Sequence, residues 1–90
     1  MADWPEGWQA GGRPPALFRR FEFAAYADTR AFLDALAALA EELQRHPQNI
    51  NFGTTYVNVT LEAAGAELGE AERMYAARIN ALYLRTGRGG

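Results

Sequence analysis

This chain of 90 residues has no cysteine, no serine, no lysine and a single histidine. Without cysteine there are no disulfides, thiolate nucleophiles or thiolate metal sites. A serine or cysteine triad is impossible, and most routes to covalent catalysis are closed. Long hydrophobic runs are also missing: the longest, Ala35 to Ala40, is far too short to cross a bilayer. The N-terminus, Met1-Ala2-Asp3-Trp4-Pro5-Glu6, lacks the basic and apolar regions of a secretion signal, so the expected compartment is the cytoplasm. Gly11-Gly12 has neither the spacing nor the following lysine of a phosphate loop. One histidine and scattered carboxylates do not make a transition-metal site. The net charge of −2 and a pI near 5.3 argue against binding driven by phosphate neutralisation. Neither a cofactor, a nucleic acid nor a membrane is expected as a partner.

What is present belongs to a folded domain. The hydrophobic fraction is 49% and the aromatic fraction 12%. A chain of this size buries only about 60–65% of its unfolded surface. The core is therefore thin, and oligomerisation would add to it. All nine basic residues are arginine, which makes any ion pair permanently charged and suited to two-pronged contact. The sequence predicts a flexible N-terminal arm over 1–15, rich in proline and glycine, one domain over 16–86 and a mobile tail over 87–90. Trp4 and Trp8 in the arm could dock on the body or on a partner.

Residues 16–25 alternate, with Leu17, Arg19, Phe21 and Phe23 on one face, and predict a strand whose Phe21/Phe23 side meets the core. Asp28 or Thr29 offers an N-cap for a helix running to about Gln44. Phe32, Leu36, Leu39 and Leu43 form its apolar stripe, and Pro47 ends it. Ile50 and Phe52 in the turn-rich stretch 48–54 predict either a short strand or a loop anchor. Thr55 to Leu61 is a clear strand, with Val57, Val59 and Leu61 on one side and Tyr56, Asn58 and Thr60 on the other. Residues 69–84 form a second helix with Leu68, Tyr75, Ile79 and Leu82 near one face, and Met74 is expected to fill core or interface space. The resulting fold class is α+β, an antiparallel sheet with helices packed on one face. So narrow a sheet has bare edges, which pairing between subunits would cover.

Proton chemistry, if there is any, falls to His46. It stands at a helix end, in Glu41-Glu42-Leu43-Gln44-Arg45-His46-Pro47, with carboxylates one turn back. A histidine there also suits the plainer role of capping free carbonyls.

The stretch Glu41-x-x-x-Arg45-His46-Pro47 resembles the Glu-x-x-x-His-His-Pro signature of the pterin-4a-carbinolamine dehydratase family, with arginine in place of the first histidine. The likeness extends from about Leu17 to Ile79. It includes Leu17-x-Arg19-x-Phe21-x-Phe23, Val57-Asn58-Val59-Thr60-Leu61 and Ala76-Ala77-Arg78-Ile79-Asn80. It implies the family's α+β fold and a homodimer or higher oligomer. In the family, histidines around a pterin pocket move the protons that release a 4a-hydroxyl as water. Here only His46 matches. Arg45 stays protonated and cannot act as a base. The Thr-His-Asp motif expected after Leu61 is replaced by Glu62-Ala63-Ala64-Gly65, in a connector one residue short.

These departures are similar to those of a degenerate branch encoded beside α-carboxysome components, which assists assembly of RuBisCO. The resemblance therefore implies a non-catalytic binding protein whose partners are RuBisCO subunits, located in the cytoplasm and with the carboxysome. Its expected binding residues are Arg45, His46, Glu41, Tyr56 and Asn58. The alternative is a divergent 4a-hydroxytetrahydrobiopterin dehydratase with His46 as its acid–base group and Glu41 tuning it.

Overall fold

The structure, a computed structural model, describes residues 4–86. The chain runs β1 (Gln9–Gly11), β2 (Ala16–Glu22), α1 (Tyr26–Leu43), β3 (Asn49–Phe52), β4 (Tyr56–Glu62) and α2 (Glu70–Thr86). The four strands form one sheet in the order β1-β2-β4-β3, and every pairing is antiparallel. This is the expected α+β arrangement.

Period-two alternation in β2 and β4 puts Leu17 and Phe21 beside Leu61 and Val57, all of them buried under the helices. Phe32, Leu36 and Leu39 of α1 and Tyr75, Ala76, Ile79 and Leu82 of α2 complete this core. Phe21, Phe23, Phe32 and Tyr83 meet as an aromatic cluster with ring centroids 4.8 to 6.0 Å apart. Such tilted and edge-on pairs add to the gain from burial. Met74 is not part of the core: it lies on the outer surface of α2, 59% exposed.

Two expectations are corrected. The stretch over 1–15 is not a structureless arm in its described part. Gln9–Gly11 pairs with β2, and the Trp8 ring is buried edge-on against Phe21 at 5.9 Å. The sequence shows only turn residues there because three residues of strand carry almost no period. Trp8 is therefore core rather than partner surface, while Trp4 is part-buried under the Arg73 guanidinium, 4.7 Å from its ring. The helix α1 starts at Tyr26, before the expected cap. Thr29 does not cap it. Its buried hydroxyl donates to the Thr54 carbonyl at 2.8 Å, tying the helix to the β3–β4 turn. Of the two readings open for Ile50 and Phe52, the short strand holds: they lie in the edge strand β3. Their register opposite Val59 and Val57 puts them on the helix side, yet both are exposed because the helices do not reach this edge. The tail over 87–90 lies outside the described residues.

Candidate functional site

The end of α1 decides where Arg45 and His46 point. Gln44 takes a left-handed conformation, φ 54°, and the Arg45 N–H returns to the Ala40 carbonyl at 3.0 Å. This is the closing bond of a Schellman turn, which satisfies the carbonyls left free at a helix end. Gln44 adds its side-chain amide to the Glu41 carbonyl at 2.9 Å. Histidine is thus not the cap.

Beyond this turn the two neighbours diverge. Arg45 turns inward. Its Nη1 lies 2.9 Å from Glu72 Oε2, and its Nη2 donates to the Glu62 carbonyl at 2.6 Å. The Tyr75 hydroxyl donates to the Arg45 carbonyl, also at 2.6 Å. Glu72 is 2% exposed and accepts two more bonds, from Gly69 N–H at 2.7 Å and Ala64 N–H at 3.2 Å. The Gly69 bond is half of a capping box, with the carboxylate three residues into the frame reaching back to the helix start. One carboxylate therefore fastens the connector between β4 and α2 to the end of α1.

Burial alone would raise the Glu72 pKa. The Gly69 donor, the Arg45 guanidinium and the Ala64 donor outweigh it and hold the carboxyl below its ordinary value. Its contribution to stability is complete above the unfolded value of about 4.3 and is lost as pH falls through the lowered folded value. Lowering pH from 7 to 3 should therefore reduce the urea midpoint more for the native chain than for Glu72→Gln, which has no carboxylate to titrate. Equal losses in both would separate Glu72 from the acid sensitivity.

His46 turns outward. Its side chain is 71% exposed, and Nε2 lies 3.8 Å from Glu41 Oε2, itself exposed. Water screens so open a pair. Three surface hollows of about 220, 380 and 170 Å³ are lined by other residues. The first, which Arg45 borders, is an apolar groove between Leu43, Ala71, Met74 and Tyr75 on the helix side. Among the described residues no cluster of histidines and carboxylates could hold a metal ion.

Tyr56 and Asn58 lie elsewhere. They sit on the sheet face that carries no helix, with Asn58 opposite Asn51 and Arg20, and Tyr56 opposite Glu22. The Tyr56 ring is held between Gly53, where any Cβ would collide with it, and the Arg20 guanidinium, 4.2 Å from its centroid. The Arg45 guanidinium meets the far end of β4 at Glu62, so Tyr56 is about 20 Å away at ~3.3 Å per residue. The five expected binding residues thus make two places: Glu41, Arg45 and His46 at one corner, Tyr56 and Asn58 on the open face. Sequence reasoning missed Glu72, although Gly69-x-x-Glu72 at a helix start was a readable cap.

Comparison with known proteins agrees with this fold. The model of the pterin 4 alpha carbinolamine dehydratase family matches residues 1–82, and the chain belongs to that family. A provisionally named pterin-4-alpha-carbinolamine dehydratase of Xylella fastidiosa is 35% identical over 86% of this chain, which spans 66% of that protein's length. A second, from Haloarcula marismortui, is 35% identical over 88% of this chain and 84% of its own. A solved pterin dehydratase-like protein, identified as a RuBisCO assembly factor in the alpha-carboxysome, is 68% identical. It covers 86% of this chain and 89% of its own, with a TM-score of 0.81. A transcriptional coactivator/pterin dehydratase from Brucella melitensis is 28% identical, with a TM-score of 0.76 over 86% of this chain and 82% of its own.

Proposed function

We propose that this chain is a RuBisCO assembly factor of the α-carboxysome type, a binding protein built on a dehydratase scaffold and not an enzyme. The observation that carries this reading is the fate of the histidine pair. One position is an arginine spent on fastening Glu72 and the connector, and the other is an exposed imidazole with one distant carboxylate. The 68% identity to a RuBisCO assembly factor supports the same reading. Such a role would put the protein in the cytoplasm and with the carboxysome. Among the described residues, no helix is long and apolar enough to cross a membrane.

A protein-binding role needs surface rather than a pocket. The open sheet face offers neutral polar groups, Asn49, Asn51, Asn58 and Thr60, with Tyr56 and Phe18 among them. The outer edge strand β3, Asn49-Ile50-Asn51-Phe52, has no charge and no proline to discourage pairing. It is the natural place for a second copy to add its own strand and form the homodimer. The corner of Glu41, Arg45 and His46 is a second contact for RuBisCO subunits. Co-expression with the large and small subunits should raise the yield of assembled enzyme. Unchanged yield, with neither subunit retained by the tagged chain, would refute the role.

The second reading, a divergent dehydratase, rests on the His46–Glu41 pair and on the provisional names of the relatives. A direct assay of 4a-hydroxytetrahydropterin dehydration separates the two.

A further inference from the structure

Among the described residues three arginines are half-buried: Arg19, Arg45 and Arg73. Arg45 has Glu72 at 2.9 Å and Arg73 has Glu70 at 3.4 Å. Arg19 has no carboxylate within 4 Å among the described residues, although other groups hold it in place. Its guanidinium lies 4.4 Å from the Phe21 ring centroid and 5.3 Å from that of Tyr83. Its Nη1 donates to the Glu6 carbonyl at 2.8 Å and to Asn80 Oδ1 at 2.7 Å. Asn80 is the hub of this arrangement. Its Oδ1 also accepts from Trp8 Nε1 at 2.8 Å, and its Nδ2 donates to the Glu6 carbonyl at 3.0 Å. Gly7, at φ 84°, packs so closely that a Cβ would lie 2.5 Å from Arg19 Nε.

The guanidinium therefore has Nη1 engaged twice and Nε close against Gly7, and among the described residues Nη2 has no hydrogen-bond partner. Burial pulls its pKa down, against the attraction of Tyr83 and Glu6, and it stays cationic. Its two hydrogen-bond acceptors are both neutral. Arg19 also forms one wall of a hollow of about 170 Å³, whose other walls are Glu6, Asn80, Tyr83 and Leu84. Leu84 is 61% exposed at the rim. An oriented, partly desolvated cation at the wall of a small cavity beside an aromatic ring and an exposed leucine fits an acidic side chain with an apolar neighbour. Arginine and tyrosine are also the residues on which binding energy concentrates at protein interfaces.

We propose that this hollow is an anchor pocket for an aspartate or glutamate side chain of a partner polypeptide, whose adjacent apolar residue packs on Leu84 and Tyr83. The occupant being a polypeptide rests on the protein-binding reading above; the carboxylate chemistry rests on Arg19 alone. The Glu6 charge acts on the same cation and would compete with the incoming carboxylate.

The test uses the ¹⁵N-labelled full chain. Acetyl-Glu-Leu-amide, acetyl-Gln-Leu-amide and sodium acetate are titrated separately at constant ionic strength, read at the Trp8 indole N–H and the Asn80 side-chain amide. The glutamate peptide should give a saturable shift, and the glutamine peptide should bind about tenfold more weakly, the cost of one charge-assisted contact. Glu6→Gln should tighten the glutamate peptide about threefold by removing the competitor. Leu84→Asn, an exposed change that leaves the fold intact, should weaken that peptide and leave acetate unaffected. Arg19→Gln should abolish the response, and the two milder variants decide the matter if it does not fold. Equal shifts with both peptides, acetate binding as tightly as the glutamate peptide, or no saturable shift would each overturn the pocket. A raised RuBisCO yield beside an unresponsive pocket would remove this inference alone.

Discussion

Arg45→Gln is expected to destabilise the chain by about 2–4 kcal/mol, a large part of the roughly 5–10 kcal/mol that holds a domain of this size. In a thermal melt that is a fall of roughly 10–25 °C. The reason lies in what the substitution leaves behind. Glu72 stays almost wholly buried and keeps its bonds from Gly69 and Ala64, but it loses the opposite charge that Arg45 held 2.9 Å away. The Glu62 carbonyl loses its donor as well. A carboxylate stranded in this way costs more than the intact pair contributes. The double variant Arg45→Gln/Glu72→Gln should therefore lose less than the two single variants added together, with about 1–2 kcal/mol of coupling in urea unfolding. His46→Ala, at an open surface position, should stay within about 0.5 kcal/mol of the native chain. An Arg45→Gln variant as stable as the native chain would mean that the inward ion pair holds nothing together.

That asymmetry between neighbours is what the sequence could not display. The core was legible because it repeats. Phe32, Leu36 and Leu39 keep a helical period, Val57, Val59 and Leu61 keep a strand period, and all six are buried. The family likeness extended this to the whole architecture. The site was less legible because its parts are single residues joined across the fold. Arg45 and Glu72 are far apart in the chain and have no period to link them, and Gln44 sends Arg45 inward only through one left-handed residue. Trp8 gave no signal either. Its burial depends on Asn80 and Phe21, which reach it from α2 and β2. Tyr56 and Asn58 were read correctly as one strand face, yet nothing in the order of residues places Tyr56 at the opposite end of β4 from the Arg45 contact with Glu62.

Assayed directly, the purified chain should dehydrate 4a-hydroxytetrahydropterin at close to the spontaneous rate, about 10⁴-fold or more below a relative with three positioned histidines. Each positioned acid or base contributes about 10²–10⁴-fold, and two of the three are absent from this sequence. The third has little to work with. His46 is open to water, its nearest carboxylate is 3.8 Å away and equally exposed, and a proton it releases goes to solvent rather than to a second group. His46→Ala should accordingly change the rate less than about twofold. Arg45→His alone should not restore turnover, because it would strand Glu72 at the same time and loosen the connector that Arg45 and Glu72 hold in place. A histidine at 45 would need a changed partner at 72 and a third imidazole in the connector before protons could be passed along a line. Turnover well above the spontaneous rate and abolished by His46→Ala would reverse the assignment, since an isolated surface imidazole would then be catalysing without the groups that its relatives use.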